Sequence, residues 1–324
     1  MKIKFSFLIS LVLGVLFYPL VLKAESSQKR VVVAVTQIVE HPALDATRKG
    51  IYDVLKESSY DLDWRFESAQ GNASLASQIA QKFVGQKPDV VVALSTVSSQ
   101  TFLKYLSKNQ DIPMVFSSVT DPLSAMIVND LKKPGGAVTG VSNFIDLKPQ
   151  FELFKTILPS LKKLGVVYNP GEQNSVIFIE LAKKVAKKLG IKIVTVPAYK
   201  SSEVGAAAQS LADKVDAFFV YNDSTVLSAF ESLVKVADLS VVPVFCSDVD
   251  MIERGATAAL GPDQYELGRQ TGRMILAILE GQSPGEIPVG YPEKIELALN
   301  QKQAQKINLT FLPSLLKKAS KVIE

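Results

Sequence analysis

A chain of 324 residues that is 47% apolar and 21% charged is long enough for two domains and too apolar to be disordered. Its formal charge of +4 falls to +1 once Lys2, Lys4 and Lys23 of the first 24 residues are set aside, which leaves no basic excess for a nucleic-acid groove. The single cysteine, Cys246, excludes an intramolecular disulfide, and its distance from the N-terminus excludes a lipid anchor on cysteine there.

Taken in chain order, Lys2 and Lys4 precede an uncharged apolar run over 5–22, and Leu22-Lys23-Ala24 places a small residue before Glu25. This is the layout of a cleavable secretory signal, with an uncleaved membrane anchor as its alternative. A soluble periplasmic protein that is not a lipoprotein is the expectation. Residues 31–35 form an apolar strand ending at Thr36-Gln37, and Glu40-His41-Pro42 follows in a loop. Residues 44–57 carry Leu44, Ile51, Val54 and Leu55 at helical spacing, and 61–66 alternate as a second strand. Asn72 is a fitting N-cap for a helix to 84. Residues 90–94 are a third strand, a helix begins near Ser98, and 113–116 are a fourth strand. After a turn at Lys133-Pro-Gly-Gly136, residues 137–141 run into Ser142-Asn143-Phe144, the expected first crossing between lobes.

The order then repeats, with strands at 164–168, 192–196, 217–221 and 242–246 and helices at 174–189, 202–213 and 226–237. Lys183, Lys184, Lys187 and Lys188 lie at helical spacing and read as a solvated face. Late elements are a helix at 263–280 closed by Gly281, an extended segment at 291–299 and a basic C-terminal helix. Alternating strands and helices imply right-handed crossovers and parallel sheets.

Two stretches repeat one design. Lys87-Pro-Asp-Val-Val-Val-Ala-Leu-Ser-Thr matches Lys214-Val-Asp-Ala-Phe-Phe-Val-Tyr-Asn-Asp, and Pro113-Met-Val-Phe-Ser-Ser-Val-Thr-Asp matches Pro243-Val-Phe-Cys-Ser-Asp-Val-Asp. Each copy is an apolar strand that stops at small hydroxyl, amide or carboxylate residues. Ligands of open α/β sheets bind beyond the carboxyl ends of the strands, so two such halves facing each other line one cleft. The plain alternative is that any parallel strand ends in a polar loop.

Five motifs spaced along the mature chain carry a resemblance: Val39-Glu-His-Pro-Ala-Leu-Asp45, Ser118-Val-Thr-Asp-Pro122, Lys133-Pro-Gly-Gly-Ala-Val-Thr-Gly-Val-Ser142, Tyr168-Asn-Pro-Gly-Glu-Gln-Asn-Ser175 and Ser247-Asp-Val-Asp250. Together they resemble the ABC-transporter substrate-binding family of the type I periplasmic binding fold, whose members include tryptophan and tyrosine or phenylalanine receptors. The resemblance implies an α/β protein of two doubly wound parallel-sheet lobes joined by a three-pass hinge. Its lobes are expected at 28–142 with 263–289 and at 143–262 with 290–324, after a signal at 1–24. It also implies an aromatic amino-acid ligand and delivery to a permease driven by an ATPase on other chains, with a monomeric receptor, no cofactor and no metal. Departures fall at Tyr221-Asn222-Asp223-Ser224, where Pro-Thr-Asp-Asn is frequent in the family, and at Cys246, where Ala is.

An amino-acid ligand needs donors for its carboxylate and acceptors for its ammonium. Ser95, Thr96 and Ser98 at a helix start fit the first role, as do Asn174 and Ser175 across the cleft, with simple capping as the alternative. Asp248 is the best candidate for the ammonium, followed by Asn222, Asp223 and Asp121, with Thr120 beside the last. Asp121 before Pro122 also reads as a turn opener. His41, with Gln37 nearby, and Asn143 at the crossing complete the set. Phe144, Phe116 and Tyr221 are candidate stacking surfaces or core residues. A hydrolase triad of His41, Ser95 and an Asp lacks the Gly-x-Ser-x-Gly elbow. An Asp248-x-Asp250 metal site is weak, because an extended segment turns the two carboxylates to opposite faces. The rivals to an importer receptor are a periplasmic ligand sensor serving a signalling partner and a two-lobed periplasmic transferase.

Overall fold

The computed structural model describes residues 28–106 and 112–324, so the expected signal at 1–24 lies outside the described residues. The first half runs β1 (Arg30–Gln37), α1 (Pro42–Lys56), β2 (Asp61–Ser68), α2 (Ala73–Gln86), β3 (Val90–Leu94), α3 (Thr96–Leu103), β4 (Met114–Val119) and β5 (Val138–Ser142). Its strands form one parallel sheet in the order β2-β1-β3-β4-β5. The apolar run of β3 and the whole of β4, including Ser117 and Ser118 at its end, are buried, as strands covered by helices on both faces require. Asn72 caps α2 as expected, its Oδ1 accepting from the amides of Ser74 and Leu75.

The second half runs α4 (Leu147–Ile157), β6 (Lys163–Tyr168), α5 (Gln173–Lys188), β7 (Lys192–Pro197), α6 (Val204–Ala212), β8 (Ala217–Val220), α7 (Ser224–Ser228), α8 (Phe230–Leu239), β9 (Val244–Cys246) and β10 (Ala258–Pro262). After α9 (Gln264–Leu279) come β11 (Ile295–Asn300), α10 (Gln301–Lys306), α11 (Pro313–Lys318) and β12 (Lys321–Ile323). The second sheet has the order β12-β11-β10-β9-β8-β6-β7, with only the β10–β11 pair antiparallel. A cluster of aromatic rings fills one of its faces, with Phe154 and Phe245 stacked 4.4 Å apart against Phe151 and Phe219.

The chain passes between the sheets three times. It leaves the first sheet after Ser142, leaves β10 at Asp263, and reaches β11 through a segment in which Gly290 exchanges hydrogen bonds with Gly140 and Ser142. Asp263 caps α9, and α9 lies on α1 and on β4 of the first sheet. That contact needs glycines. A Cβ on Gly50 would stand 2.2 Å from the Tyr265 carbonyl oxygen, and one on Gly268 would stand 2.1 Å from that of Thr47.

Several local expectations change. The helix expected at 226–237 divides into α7 and α8 at Ala229, whose φ of −117° and ψ of 28° leave the helical region. The helix placed near Ser98 starts at Thr96. The C-terminal helix is two short helices, and the chain ends in β12, which adds to β11 in parallel. Residues 248–250 are not extended: Asp248 caps a 3-10 turn over Val249–Ile252, so strand alternation does not set the direction of Asp250. Phe116 is core, fully buried beneath Gly140, and is no stacking surface for a ligand.

Candidate functional site

The carboxyl ends of the two sheets meet. Between them lies an inner cavity of about 20 Å³, lined by His41, Ser95, Ser118 and Gln264 on one side, Asn143 at the crossing, and Asn222 and Ser224 on the other. Ser224 also lines a larger outer chamber of about 730 Å³ between Val39 and Val97 on one wall and Glu172, Tyr199 and Thr225 on the other. On the hinge side, Thr120, Asp121, Phe144, Leu181 and Tyr291 enclose about 210 Å³. A surface groove of about 690 Å³ beside Tyr52 and Trp64 lies away from the strand ends, and its cations Arg48 and Lys49 are already paired with Asp45 and Asp53.

In the first half, β3 delivers Ser95 with a φ of +84°, and its Oγ accepts from the Ser98 amide at 3.4 Å. The amides of Thr96 and Val97 make no hydrogen bond among the described residues, as expected for the open first turn of a helix. Gln37 is fully buried; its Nε2 donates to the Val39 carbonyl and to Asp45, both at 2.9 Å, and this leaves Oε1 without a partner. His41 caps α1, its Nδ1 facing the Leu44 amide at 3.5 Å. Burial, reinforced by the Arg254 guanidinium of the opposite half, lowers the His41 pKa to about 3 and keeps the ring neutral. Thr120 is buried beside the Tyr221 hydroxyl, which lies against Thr120 and Asn222 without a well-formed hydrogen bond. The Tyr221 ring stacks on Phe178 at 4.0 Å.

In the second half the candidates divide between frame and cleft. Asp223 caps α7 by accepting from the Val226 amide, and its other oxygen accepts from the Asn169 amide at 2.6 Å and from Ser175 Oγ at 2.7 Å. Burial and then the nearby charge of Glu172 raise Asp223 to a pKa of about 7. Asn174 donates from Nδ2 to the Asn222 carbonyl at 2.7 Å and keeps Oδ1 unpartnered. Asp248 is fully buried: Oδ1 accepts from the Asp250 amide at 3.0 Å, while Oδ2 has no partner. Burial first, and Asp250 second, raise its pKa to about 8.

The structure thus brings His41, Ser95, Asn143 and Asn222 together at the inner cavity, with Thr96 and Ser98 on the same helix start. Asp121 is set apart. Its carboxylate accepts from the amide and hydroxyl of Ser124, so it caps a turn, as Asp before proline commonly does. Asp223 and Ser175 satisfy each other and hold the frame of α7. Ser118, Gln264, Ser224 and Glu172 line the cleft but were not singled out from sequence. Ser118 follows Ser117 at the polar end of β4, which was a usable signal, whereas Gln264 reaches the cleft only because α9 returns to the first sheet.

Chemically, Gln37, Asn143, Asn174 and Asp248 each hold a buried acceptor oxygen with no partner, and the start of α3 offers free amide donors. No hydrogen bond links His41 to a serine, and no group of three or more metal-ligating side chains occurs, among the described residues. Residues 32–323 match the family described as ABC transporter substrate binding protein. The chain belongs to that family. It is a family of substrate-binding proteins rather than of enzymes, and the two parallel-sheet α/β lobes are of the type I periplasmic binding fold. A tyrosine-binding protein of Clostridioides difficile is 35% identical over 283 residues, 86% of this chain and 81% of that one. An ABC domain from Streptococcus pneumonia in complex with L-Trp is 34% identical over 92% of this chain and 100% of that chain, with a TM-score of 0.86. A ligand-free, open substrate-binding protein from Clostridium difficile, 33% identical over 90% and 99%, superposes with a TM-score of only 0.68. At these similar identities, the structure superposes better on the L-Trp complex than on the open protein.

Proposed function

We propose that this chain is the exported receptor of an ABC importer and that it closes two lobes, 28–142 with 263–289 and 143–262 with 290–324, around one aromatic amino acid. The observation that carries this reading is the unpartnered buried Oδ1 of Asn143 in the inner cavity beside Ser95, whose helix α3 opens with the free amides of Thr96 and Val97. The ligand carboxylate rests on the Thr96 and Val97 amides beside the hydroxyls of Ser95 and Ser98, where the helix dipole adds about 0.3 to 1 kcal/mol. The ammonium is taken by Asp248 with amide oxygens such as Asn143, a charge-assisted contact of about 1.5 to 3 kcal/mol. An aromatic side chain is favoured because the relatives named above are a tyrosine-binding protein and an L-Trp complex. The receptor works in the periplasm as a monomer and hands its ligand to a permease driven by an ATPase, both on other chains.

A thermal-shift screen over the twenty amino acids tests this. A ligand at 100 times its dissociation constant adds about 2.7 kcal/mol to stability, so tyrosine, phenylalanine or tryptophan should give the largest rise in melting temperature. A larger rise with an aliphatic or acidic amino acid would reject the aromatic assignment.

A further inference from the structure

We propose that the outer chamber receives the side chain of the ligand and that Glu172 makes the chamber selective for uncharged over acidic side chains. The inference rests on the receptor reading above. The inner cavity, at about 20 Å³, has room for about one water molecule and cannot take a ring, whereas the chamber that shares Ser224 with it encloses about 730 Å³. The hinge-side space shares no lining residue with the inner cavity. The chamber is suited to a ring: Ile38, Val39 and Val97 supply apolar area on one wall, and Tyr199 supplies an aromatic surface on the other.

Glu172 sets the charge of that wall. It is only 5% exposed, and its carboxylate accepts from the Ser224 and Thr225 amides, both at 2.9 Å, and from Thr225 Oγ1 at 2.8 Å. The comparison with the first lobe is by helix position, since Thr96 and Val97 open α3 after its cap Ser95 as Ser224 and Thr225 open α7 after its cap Asp223. There the matching amides of Thr96 and Val97 are open, whereas in the second lobe the protein's own carboxylate already satisfies them. A ligand carboxylate therefore has one place to bind, in the first lobe, and a second carboxylate on its side chain meets a fixed negative charge. Asp223, the buried cap of α7, holds its proton to about pH 7, by burial first and by the nearby charge of Glu172 second. No cation among the described residues pairs with Glu172 to cancel the effect. Lys200, on the same rim, is exposed to solvent and makes no ion pair with Glu172.

The test is calorimetry with two ligands of one shape, 4-carboxy-L-phenylalanine and 4-carbamoyl-L-phenylalanine, alongside L-tyrosine. The full mature chain should bind the carboxamide at least 30-fold more tightly than the carboxylate. Glu172→Gln, which keeps an oxygen for one of the two amides, should lower that ratio at least tenfold. Gln70→Glu places a new negative charge on the exposed rim of the opposite wall and should raise the ratio at least threefold. Should Glu172→Gln fail to fold, this second variant still tests whether the ligand side chain lies in the chamber. Equal binding of the two ligands by the unaltered chain, or a ratio unmoved by both substitutions, overturns the assignment of the chamber and of Glu172. Failure of L-tyrosine, L-phenylalanine and L-tryptophan to bind at all would reject the receptor reading itself.

Discussion

Replacing Asp248 separates a binding carboxylate from a structural cap, because its two oxygens have different surroundings. Oδ1 accepts from the Asp250 amide at 3.0 Å and starts the 3-10 turn, while Oδ2 is buried without a partner. Asp248→Ala removes both; loss of the ammonium contact at about 1.5 to 3 kcal/mol predicts a rise in Kd of roughly tenfold to 150-fold. Loss of the cap should cost about 0.5 to 2 kcal/mol in stability. Asp248→Asn keeps an oxygen for the turn but presents an amide in place of the free carboxylate oxygen, so stability should survive while affinity does not. Proton linkage gives an independent check. The folded pKa of Asp248 is raised from the ordinary 3.8 to about 8, so its protonated form stabilises the ligand-free fold at low pH and that contribution is lost as pH rises through about 8. The slope for one such group reaches about 1.4 kcal/mol per pH unit, and Asp248→Asn should remove it. Asp250→Ala is the control: the cap uses the Asp250 backbone amide, which the substitution leaves in place. Calorimetry with L-tyrosine and urea melts at pH 5 and pH 8 read both quantities. If Asp248→Ala lowers the urea midpoint while Kd changes less than threefold, the residue is a cap and the ammonium is held elsewhere.

His41 should make binding sensitive to acid. Its pKa in the closed cleft lies near 3, below the usual 6.5, so closure is favoured above about pH 6.5 and weakens as pH falls toward 3; Kd should rise by up to tenfold per unit in that window, and His41→Asn should flatten the profile. A calorimetric profile of the unaltered chain that is flat from pH 7 to pH 5 would contradict this. Gly268→Ala forces a methyl group to within 2.1 Å of the Thr47 carbonyl oxygen and should cost at least 1 to 3 kcal/mol in urea, the usual order for overpacking, because backbone must move apart. An unchanged urea midpoint would show that α1 and α9 can separate freely. Small-angle scattering should report a smaller radius of gyration with ligand than without, as closure about the crossings near Ser142, Pro262 and Gly290 requires. An identical radius at saturation would mean a lobe arrangement that does not respond to ligand.

The duplicated strand ends were the most legible part of the chain, because an apolar run stopping at Ser95-Thr96 or Asn222-Asp223 marks both a buried parallel strand and the lip of a cleft. Elements made of small residues were less legible. β10 reads Ala-Ala-Leu-Gly-Pro, without the bulk that signals a strand, since a Cβ on Gly261 would stand 1.9 Å from the Ser247 carbonyl oxygen. At the candidate site, sequence singled out the Ser95–Ser98 turn, of which Ser95 lines the inner cavity, but could not tell Asp121 and Asp223, carboxylates at strand ends, from groups free to meet a ligand. Only the structure gives them Ser124 and Ser175 as partners. Glu172 was hidden for a related reason: its role depends on reaching amides at 224 and 225, more than fifty residues along the chain.

The most direct test of the central claim is a calorimetric titration of the protein with L-tyrosine, L-phenylalanine and L-tryptophan, followed by mass analysis of the recovered ligand. Saturable heat at one ligand per chain for at least one of them, with the ligand recovered unchanged, is the result expected of a receptor that closes on an aromatic amino acid. The absence of saturable heat with all three, or recovery of a chemically altered ligand, would contradict it.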